Sequence, residues 1–170
     1  MDENLQQQLR ELLNTQSLGV LATSSGGHPY TSLVGFAASE DLREIFFVTS
    51  RTTRKYANLS GDERVTLLID NRSNQAEDFH LAAALTAFGT AREVDAEMQT
   101  ELKRQYLRKH PLLKEFVSSP SCALCRISVQ SYSLVRRFQD VVELVLNDAD
   151  PSDERPALPT RKIAAQSYRS

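Results

Sequence analysis

A succession of short apolar segments rich in β-branched and aromatic residues most limits the folds open to this chain. SLGVLATSS, PYTSLVGFAA, REIFFVTS and ERVTLLID follow one another, separated by turns or by one short polar stretch. Segments of this kind, bounded by Gly, Pro, Ser and Asp, are typical of strands joined by tight connections. The turn signal Gly26-Gly27-His28-Pro29 predicts that the first two segments form a β-hairpin.

The second half of the chain continues this pattern after one ambiguous segment. The alanine content of DFHLAAALTAFGTAREV favours a helix, but Thr86, Phe88 and Gly89 lie in the middle of the run and the flanking pieces are strands, so we predict a strand. CALCRISVQ and SYSLVRRFQDVVELVL predict two more strands, with a bend at Ser131 between them. Six or seven mostly antiparallel strands predict a small β-barrel, which leaves no open sheet edge.

Helices are predicted around this barrel. An amphipathic helix is predicted over the first fifteen residues, and another over residues 95–109, capped by Asp95 and followed by Pro111 and a short helix in LLKEFV. We expect one domain over residues 1–146 and an exposed polar tail over residues 147–170, which is rich in Asp and Pro. The predicted apolar helix faces consist of Leu5, Leu9, Leu12 and Leu13, and of Met98, Leu102, Tyr106 and Leu107.

Composition narrows the classes of function. The formal net charge of the 170 residues is −2, whereas a dedicated nucleic-acid binder normally has a basic excess. No apolar run is long enough to cross a bilayer. The N-terminus MDENLQQQLRELL lacks the basic start and apolar centre of a secretory signal, so a cytoplasmic location is expected.

The residue types that commonly bind metals do not form a recognisable site. Cys122 and Cys125 form a CxxC motif on a predicted strand, where the period of two places them on opposite faces. No second CxxC completes a zinc site, so we expect buried thiols and no metal. His28, His80 and His110 are far apart in the sequence, and a surface position is expected for each.

The segment TSRTTRK, directly after a buried strand, is the strongest functional signal. Arg51, Arg54 and Lys55 have the spacing i, i+3, i+4, which places them on one face of a helical turn. Thr52 or Thr53 can cap the helix that begins here and Gly61 can end it, and a helix N-terminus attracts anions. The alternative is a solvated basic face, but the position after a buried strand favours a phosphate site. The hydroxyl donors of the segment are Thr49, Ser50, Thr52 and Thr53.

Two glycine-rich nucleotide motifs are missing from the sequence, GxGxxG and GxxxxGK[ST]. Instead, the order and spacing of LGVLAT, PYTSLVGFA, IFFVTSRTTRKYANL, DERVTLLIDNRS and ALTAFGTAREV resemble the flavin-binding split-barrel family related to pyridoxamine 5′-phosphate oxidase, over residues 15–145. The resemblance implies a mostly β (α+β) fold: an antiparallel split β-barrel of six to seven strands with peripheral helices. It also implies FMN as cofactor, a homodimer with flavin at the subunit interface, and an FMN-dependent oxidoreductase acting on a small-molecule substrate or electron donor.

The resemblance also assigns cofactor-binding residues. It implies that the strand Tyr30–Phe36 runs along the isoalloxazine ring and that Arg54 and Lys55 bind the phosphate, with Arg51 as an added ligand. The residues after the next strand would reach the flavin edge. The expected set is Ser32, Leu33, Val34, Val48, Thr49, Ser50, Arg51, Arg54, Lys55, Asn71, Arg72 and Ser73. No catalytic acid or base is identified.

Departures from the family's oxidases leave the substrate unknown. A family Gln falls near Ala84 here, and the C-terminal Trp, Arg and Arg-x-His signature is absent. Pyridoxamine phosphate is therefore not the expected substrate. Arg136 and Arg137 point to opposite faces of a predicted strand, so that one either faces a cleft or forms a salt bridge at the barrel rim. The alternatives are a flavin carrier or sensor without turnover, and a haem-binding or deazaflavin-binding split barrel.

Overall fold

Residues 3–137 and 140–146 are described by the computed structural model, and they form seven strands and five α-helices. The strands are β1 (Leu18–Ser25), β2 (His28–Ala38), β3 (Glu44–Ser50), β4 (Arg64–Asp70), β5 (Ala83–Glu93), β6 (Cys122–Arg136) and β7 (Asp140–Val145). The helices are α1 (Glu3–Thr15), α2 (Arg54–Gly61), α3 (Asp78–Leu81), α4 (Ala96–Lys109) and α5 (Lys114–Ser118), with a 3-10 turn over Pro111–Leu113.

Six of the strands close into an antiparallel barrel. The strand order is β3-β2-β1-β4-β5-β6-β7, and β3 also pairs with β6. The long strand β6 makes this closure possible: one of its edges pairs with β3 through residues 122–128 and with β7 through residues 131–136, while the other edge pairs with β5 over residues 125–136. The predicted mostly β split barrel with peripheral helices is confirmed, and β7 is the strand outside the closed barrel.

Two hydrophobic clusters hold this arrangement together. Inward-facing residues of the strands fill the barrel, and Leu9 and Leu13 of α1 and Leu59 of α2 join that cluster. A second cluster lies outside the barrel, where α4 and α5 cover β3. Strand β3 therefore buries both of its faces, with Phe47 in the first cluster and Phe46 in the second. This double burial explains why its sequence is continuously apolar rather than alternating.

The predicted hairpin and the predicted strand faces of the cysteines are confirmed. The full length of β1 pairs with residues 28–35 of β2 around Gly26 and Gly27, whose φ values of 56° and 80° suit a two-residue hairpin turn. Cys122 belongs to the outer cluster and Cys125 to the barrel cluster, so the two thiols are on opposite faces. Burial raises the pKa of Cys125 to about 12.

The predicted bend at Ser131 is wrong. Strand β6 runs without interruption past it, and the pairing with β5 shifts from Phe88↔Ser131 to Gly89↔Val129. One extra residue, Gln130, forms a β-bulge there. A Cβ atom on Gly89 would lie 2.2 Å from the carbonyl oxygen of Ser128, so only glycine fits opposite the bulge.

The other differences from the sequence predictions are local. The ambiguous segment divides: its first residues form α3, and the strand begins at Ala83. Leu102 and Tyr106 line the buried face of α4 as predicted, but Met98 is exposed because the cluster begins one turn later. Residues 138–139 and the predicted tail, 147–170, lie outside the described residues.

Candidate functional site

The turn between β3 and α2, residues 49–55, is organised by its own hydroxyl groups. Thr53 caps α2: its Oγ1 accepts a 3.4 Å hydrogen bond from the Tyr56 N–H and donates to the Ser50 carbonyl at 2.8 Å. The hydroxyls of Thr49 and Thr53 lie 3.0 Å apart, and those of Ser50 and Thr52 lie 2.9 Å apart. The predicted cap and the predicted end of α2 at Gly61 are both confirmed.

Arg54 and Lys55 occupy the first two positions of α2, and neither forms an ion pair within residues 3–137 and 140–146. The first turn of α2 also contains no acidic residue. The Cζ atom of Arg54 lies 5.5 Å from the centroid of the Tyr30 ring, a cation–π distance. The positive end of the helix dipole disfavours cations at this position, so an anion bound here would relieve an electrostatic conflict.

Arg51 does not share the helical face predicted for it, because α2 begins only at Arg54. Its guanidinium Nη1 donates to the carbonyl oxygens of Pro120 and Cys122, each at 2.8 Å, and Nη2 forms an ion pair with Glu93. The sequence did not single out Glu93, and its position at the end of a strand gives no local signal for this contact.

The Glu93 carboxylate is shared between two donors, since its second oxygen accepts a 2.6 Å hydrogen bond from the Tyr56 hydroxyl. Partial burial acts to raise the pKa of Glu93, but the hydrogen bonds from Arg51 and Tyr56 outweigh it and hold the pKa below its usual value. The hydrogen bond between the Tyr56 hydroxyl and Glu93 raises the pKa of Tyr56, and burial acts in the same direction.

The barrel opens beside this turn. Strands β2 and β3 pair only from Phe36↔Phe47 to Ala38↔Ile45, so the part of β2 before Phe36 pairs within the described residues only with β1. The last residues of β3, including Thr49, pair with β6. The gap between the two diverging strands leads to the 49–55 turn, and we call it the β2–β3 split.

The predicted residues of β2 and β3 have different environments at this split. The buried Ser32 Oγ has no hydrogen-bond partner among the described residues, whereas the Leu33 side chain is 67% exposed. The side chains of Val34 and Val48 belong to the barrel and outer clusters respectively. These two valines therefore contribute to the packing of the fold, whereas the Ser32 hydroxyl is a buried polar group without a partner among the described residues.

The structure does not bring Asn71, Arg72 and Ser73 to the 49–55 turn of the same chain. Helix α2 contacts β1 at Thr23, through a 3.0 Å hydrogen bond from Asn58. Strand β4 pairs with β1 from Thr66↔Ala22 to Leu68↔Val20 and then continues to Asp70. At the usual rise per residue, the end of β4 lies about 15 Å along the barrel from the level of Thr23.

The loop that follows β4 covers a cavity of about 590 Å³. Asn71 Oδ1 accepts from the Ala83 N–H at 2.8 Å, and the Asp78 carboxylate accepts from the Ser73 N–H at 3.0 Å. Most of the cavity wall is apolar and includes Leu68 and Phe79. Arg72 also lines the cavity. Of the three loop residues predicted to touch the flavin edge, Arg72 thus lines a separate cavity, while Asn71 and Ser73 hold the loop together through these hydrogen bonds.

The remaining candidate residues have structural contacts. Arg136 forms an ion pair with Asp140 at 2.5 Å and donates to Gln8 at 2.9 Å, which matches the alternative of a salt bridge at the rim. His28 and His80 are exposed as expected, but His110 is half-buried and its Nε2 lies 2.7 Å from the Phe36 carbonyl oxygen.

Within the described residues, no group of three or more His, Cys, Asp or Glu side chains could hold a metal ion. In the same residues, no helix is both long and apolar enough to cross a membrane.

Comparison with known proteins places the chain in a family. The family model for pyridoxamine 5′-phosphate oxidase matches residues 5–136, more than half of the chain. The chain belongs to the pyridoxamine 5′-phosphate oxidase family. No curated protein gives a significant match.

Solved structures share the fold of this family member at low sequence identity. A heme binding protein from Mycobacterium smegmatis is 18% identical with a TM-score of 0.73; the match covers 82% of this chain and 57% of that protein. A Clostridium acetobutylicum protein of the pyridoxinephosphate oxidase family, related to general stress protein 26, is 14% identical with a TM-score of 0.68 and coverages of 86% and 97%. A FAD-binding protein from Mesorhizobium loti is 16% identical with a TM-score of 0.58 and coverages of 75% and 91%. At these identities the likeness shows the fold alone.

Proposed function

We propose that this chain is an FMN-dependent oxidoreductase whose 49–55 turn binds the FMN phosphate. The observation that carries the proposal is the pair Arg54 and Lys55, two cations without an ion-pair partner in the described residues, at a helix N-terminus that lacks acidic residues. A phosphate monoester carries a charge of about −1.5 to −2 at neutral pH. Two cations and the first N–H groups of α2 complement that charge.

The β2–β3 split suits the rest of the cofactor. Ser32 lies on the part of β2 that borders the split, and we assign its buried, unpartnered Oγ as a donor or acceptor for a polar atom of the ribityl chain or ring. When bound, the flavin supplies the redox chemistry of the enzyme. The role of the chain is to hold the phosphate with Arg54 and Lys55, to orient the ring along β2, and to shield one of its faces. We assign no residue as catalytic acid or base.

We further propose that two copies assemble around the cofactor. Leu18 and Leu33 are large apolar side chains, 57% and 67% exposed, on the paired strands β1 and β2. A second copy packed on this surface would bury them and give the split a second wall. It would also allow Asn71, Arg72 and Ser73 of one copy to approach the flavin of the other, which they do not do within one chain.

A binding experiment with two ligands tests the phosphate assignment. FMN and riboflavin differ only in the phosphate, so the purified protein should bind FMN far more tightly than riboflavin and show the two-band flavin spectrum. Equal affinity for the two ligands would refute the phosphate site. Light scattering of the FMN-loaded protein should give a mass near twice 19.1 kDa; a monomer that still holds FMN would refute the shared site.

The substrate is proposed to differ from pyridoxamine 5′-phosphate, which needs a second phosphate pocket. Of the two arginines at the end of β6, Arg136 directs its Nη atoms to Asp140 and Gln8, and Arg137 is exposed in the turn after the strand. We expect no aldehyde formation from pyridoxamine phosphate under air, while turnover on the order of 1 s⁻¹ would contradict this proposal.

A second candidate function is haem binding, which one structural neighbour, the mycobacterial heme binding protein, favours. A Soret band in place of the flavin bands would support it. If the protein binds FMN but NAD(P)H does not reduce it, a carrier or sensor is the better description; a bound deazaflavin would be identified by its mass after release.

A further inference from the structure

A single carboxylate holds both ends of the segment that bears the proposed phosphate ligands. Glu93, the last residue of β5, forms an ion pair with Arg51 through one oxygen and accepts a 2.6 Å hydrogen bond from the Tyr56 hydroxyl through the other. Arg51 directly precedes residues 52–55 and Tyr56 directly follows them. We call this set of three residues the Glu93 clamp.

Arg51 is also anchored to the start of β6. Its Nη1 donates to the carbonyl oxygens of Pro120 and Cys122, and its backbone N–H donates to the Ser121 carbonyl at 2.9 Å. Hydrogen bonds from a charged donor are about twice as strong as neutral ones. The guanidinium therefore joins the 49–55 turn to β5 and to β6, and its side chain is directed to these partners rather than to Arg54 and Lys55.

We propose that Glu93 and Arg51 are positioning residues of the phosphate site: the clamp fixes the backbone of residues 52–55 so that Arg54 and Lys55 meet a phosphate in a preformed arrangement. Arg51 then acts behind the site and is not a phosphate ligand. A preformed turn binds more tightly because less conformational entropy is lost when the ligand arrives. This inference rests on the proposed FMN function.

The competing model, in which Arg51 leaves Glu93 to bind the phosphate, predicts the opposite sign for one substitution. Glu93→Gln retains the size of the side chain but removes its charge. If Arg51 is a ligand held back by Glu93, this change frees it and FMN binds more tightly. If the clamp positions the turn, the same change loosens residues 52–55 and FMN binds more weakly.

The test measures FMN and riboflavin affinity for the parent, Glu93→Gln and Tyr56→Phe, with Glu63→Gln as matched control. Glu63 forms a comparable carboxylate ion pair with Arg92, at 2.7 Å, outside the clamp. We expect both clamp variants to weaken FMN binding roughly 2- to 12-fold, the factor for ordering about one side chain. Riboflavin affinity should be unchanged, and the control should behave like the parent.

Hydrogen exchange of the ligand-free proteins gives a second measurement that does not depend on FMN. Amides of residues 52–55 should exchange faster in Glu93→Gln and Tyr56→Phe than in the parent and in Glu63→Gln. Tighter or unchanged FMN binding by Glu93→Gln would overturn the clamp. If the parent itself does not prefer FMN over riboflavin, the proposed function fails instead, and unchanged exchange in the clamp variants would then overturn the clamp independently.

Discussion

Two Arg-Lys pairs lie on helices of the described structure, and their surroundings are opposite. Arg54 and Lys55 begin α2, whereas Arg108 and Lys109 end α4. Cations at the C-terminal end of a helix are favoured by its dipole, and cations at the N-terminal end are disfavoured. The dipole contribution therefore favours the pair at the end of α4 and disfavours the pair at the start of α2.

The contacts of the two lysines show the same contrast. Lys109 Nζ donates to the Leu13 carbonyl of α1 at 2.6 Å and lies 3.8 Å from the centroid of the Phe36 ring. The Tyr106 hydroxyl donates a hydrogen bond to the Gly35 carbonyl, and His110 forms one with the Phe36 carbonyl. The end of α4 is therefore packed against β2. Lys55 has no ion-pair partner among the described residues. Lys109 therefore contributes to the tertiary structure through its acceptor, whereas Lys55 is available to bind a ligand.

The largest effect that would sharpen this comparison concerns FMN affinity. Arg54→Ala and Lys55→Ala should each weaken FMN binding by about 1.5–3 kcal/mol, the contribution of a hydrogen bond to a charged group. Arg108→Ala is the matched control and should leave FMN affinity unchanged. Titration of each variant with FMN and with riboflavin checks this; losses of equal size for the two flavins would show that the cations do not contact the phosphate.

The second effect concerns the dock of α4 on β2. A Cβ atom on Gly35 would lie 2.9 Å from the Tyr106 hydroxyl, which is held in a buried side chain. Gly35→Ala should therefore lower the free energy of unfolding by about 1–3 kcal/mol, as overpacking does. Gly61, at the end of α2, has open space around its Cα, and Gly61→Ala should leave stability unchanged or raise it by about 0.4–1 kcal/mol. Urea denaturation measures both free energies of unfolding. If Gly35→Ala leaves the free energy of unfolding unchanged, α4 is not tightly packed on β2.

Patterns within one strand or helix were predictable from the sequence. Alternation and turn residues give the β1–β2 hairpin, and Thr53 with Gly61 gives the limits of α2. The basic residues beside a strand end marked the 49–55 turn because the cap and the cations are adjacent in the chain.

Contacts between distant segments were not predictable. Arg51 meets Glu93 only because β3 and β5 both pair with β6, where Thr49 lies opposite Ala123 and Glu93 opposite Cys125. Nothing in the local sequence of Arg51 distinguishes a residue that binds a carboxylate of its own fold from one that binds a phosphate. The two Arg-Lys pairs are likewise identical as dipeptides; the predicted helix limits place them at opposite helix ends, but their burial and their acceptors appear only in the structure.

A third effect is the pH dependence of stability that Lys109 should confer. Burial lowers the pKa of Lys109 to about 8 from its ordinary 10.5. Between these values the folded state has released the proton while the unfolded state retains it, so stability rises with pH across this window. Relative to Lys109→Met, the parent should gain stability from pH 8 to 10.5, measured by urea denaturation. A constant difference between parent and Lys109→Met would show that burial does not lower the pKa of Lys109 in the folded protein.

The smallest effect tests the comparison most directly, because it predicts opposite signs for the two helix ends. In the ligand-free protein, Lys55→Gln removes a cation from the N-terminal end of α2 and should raise the free energy of unfolding by about 0.3–1 kcal/mol. Arg108→Gln removes a cation from the C-terminal end of α4 and should lower it by a similar amount. Gln has nearly the helix propensity of Lys and Arg, so the change in charge dominates. Arg54→Gln is less suitable, since it also removes the contact with the Tyr30 ring.

Both differences should shrink in 1 M salt, where the Debye length is about 3 Å. Saturating FMN should reverse the sign for Lys55→Gln alone, because the bound phosphate turns an unfavourable cation into a favourable one and stabilises the parent more than the variant. If Lys55→Gln instead destabilised the ligand-free protein as Arg108→Gln does, Lys55 would be a cation that the fold itself requires, and the distinction between the two Arg-Lys pairs would disappear.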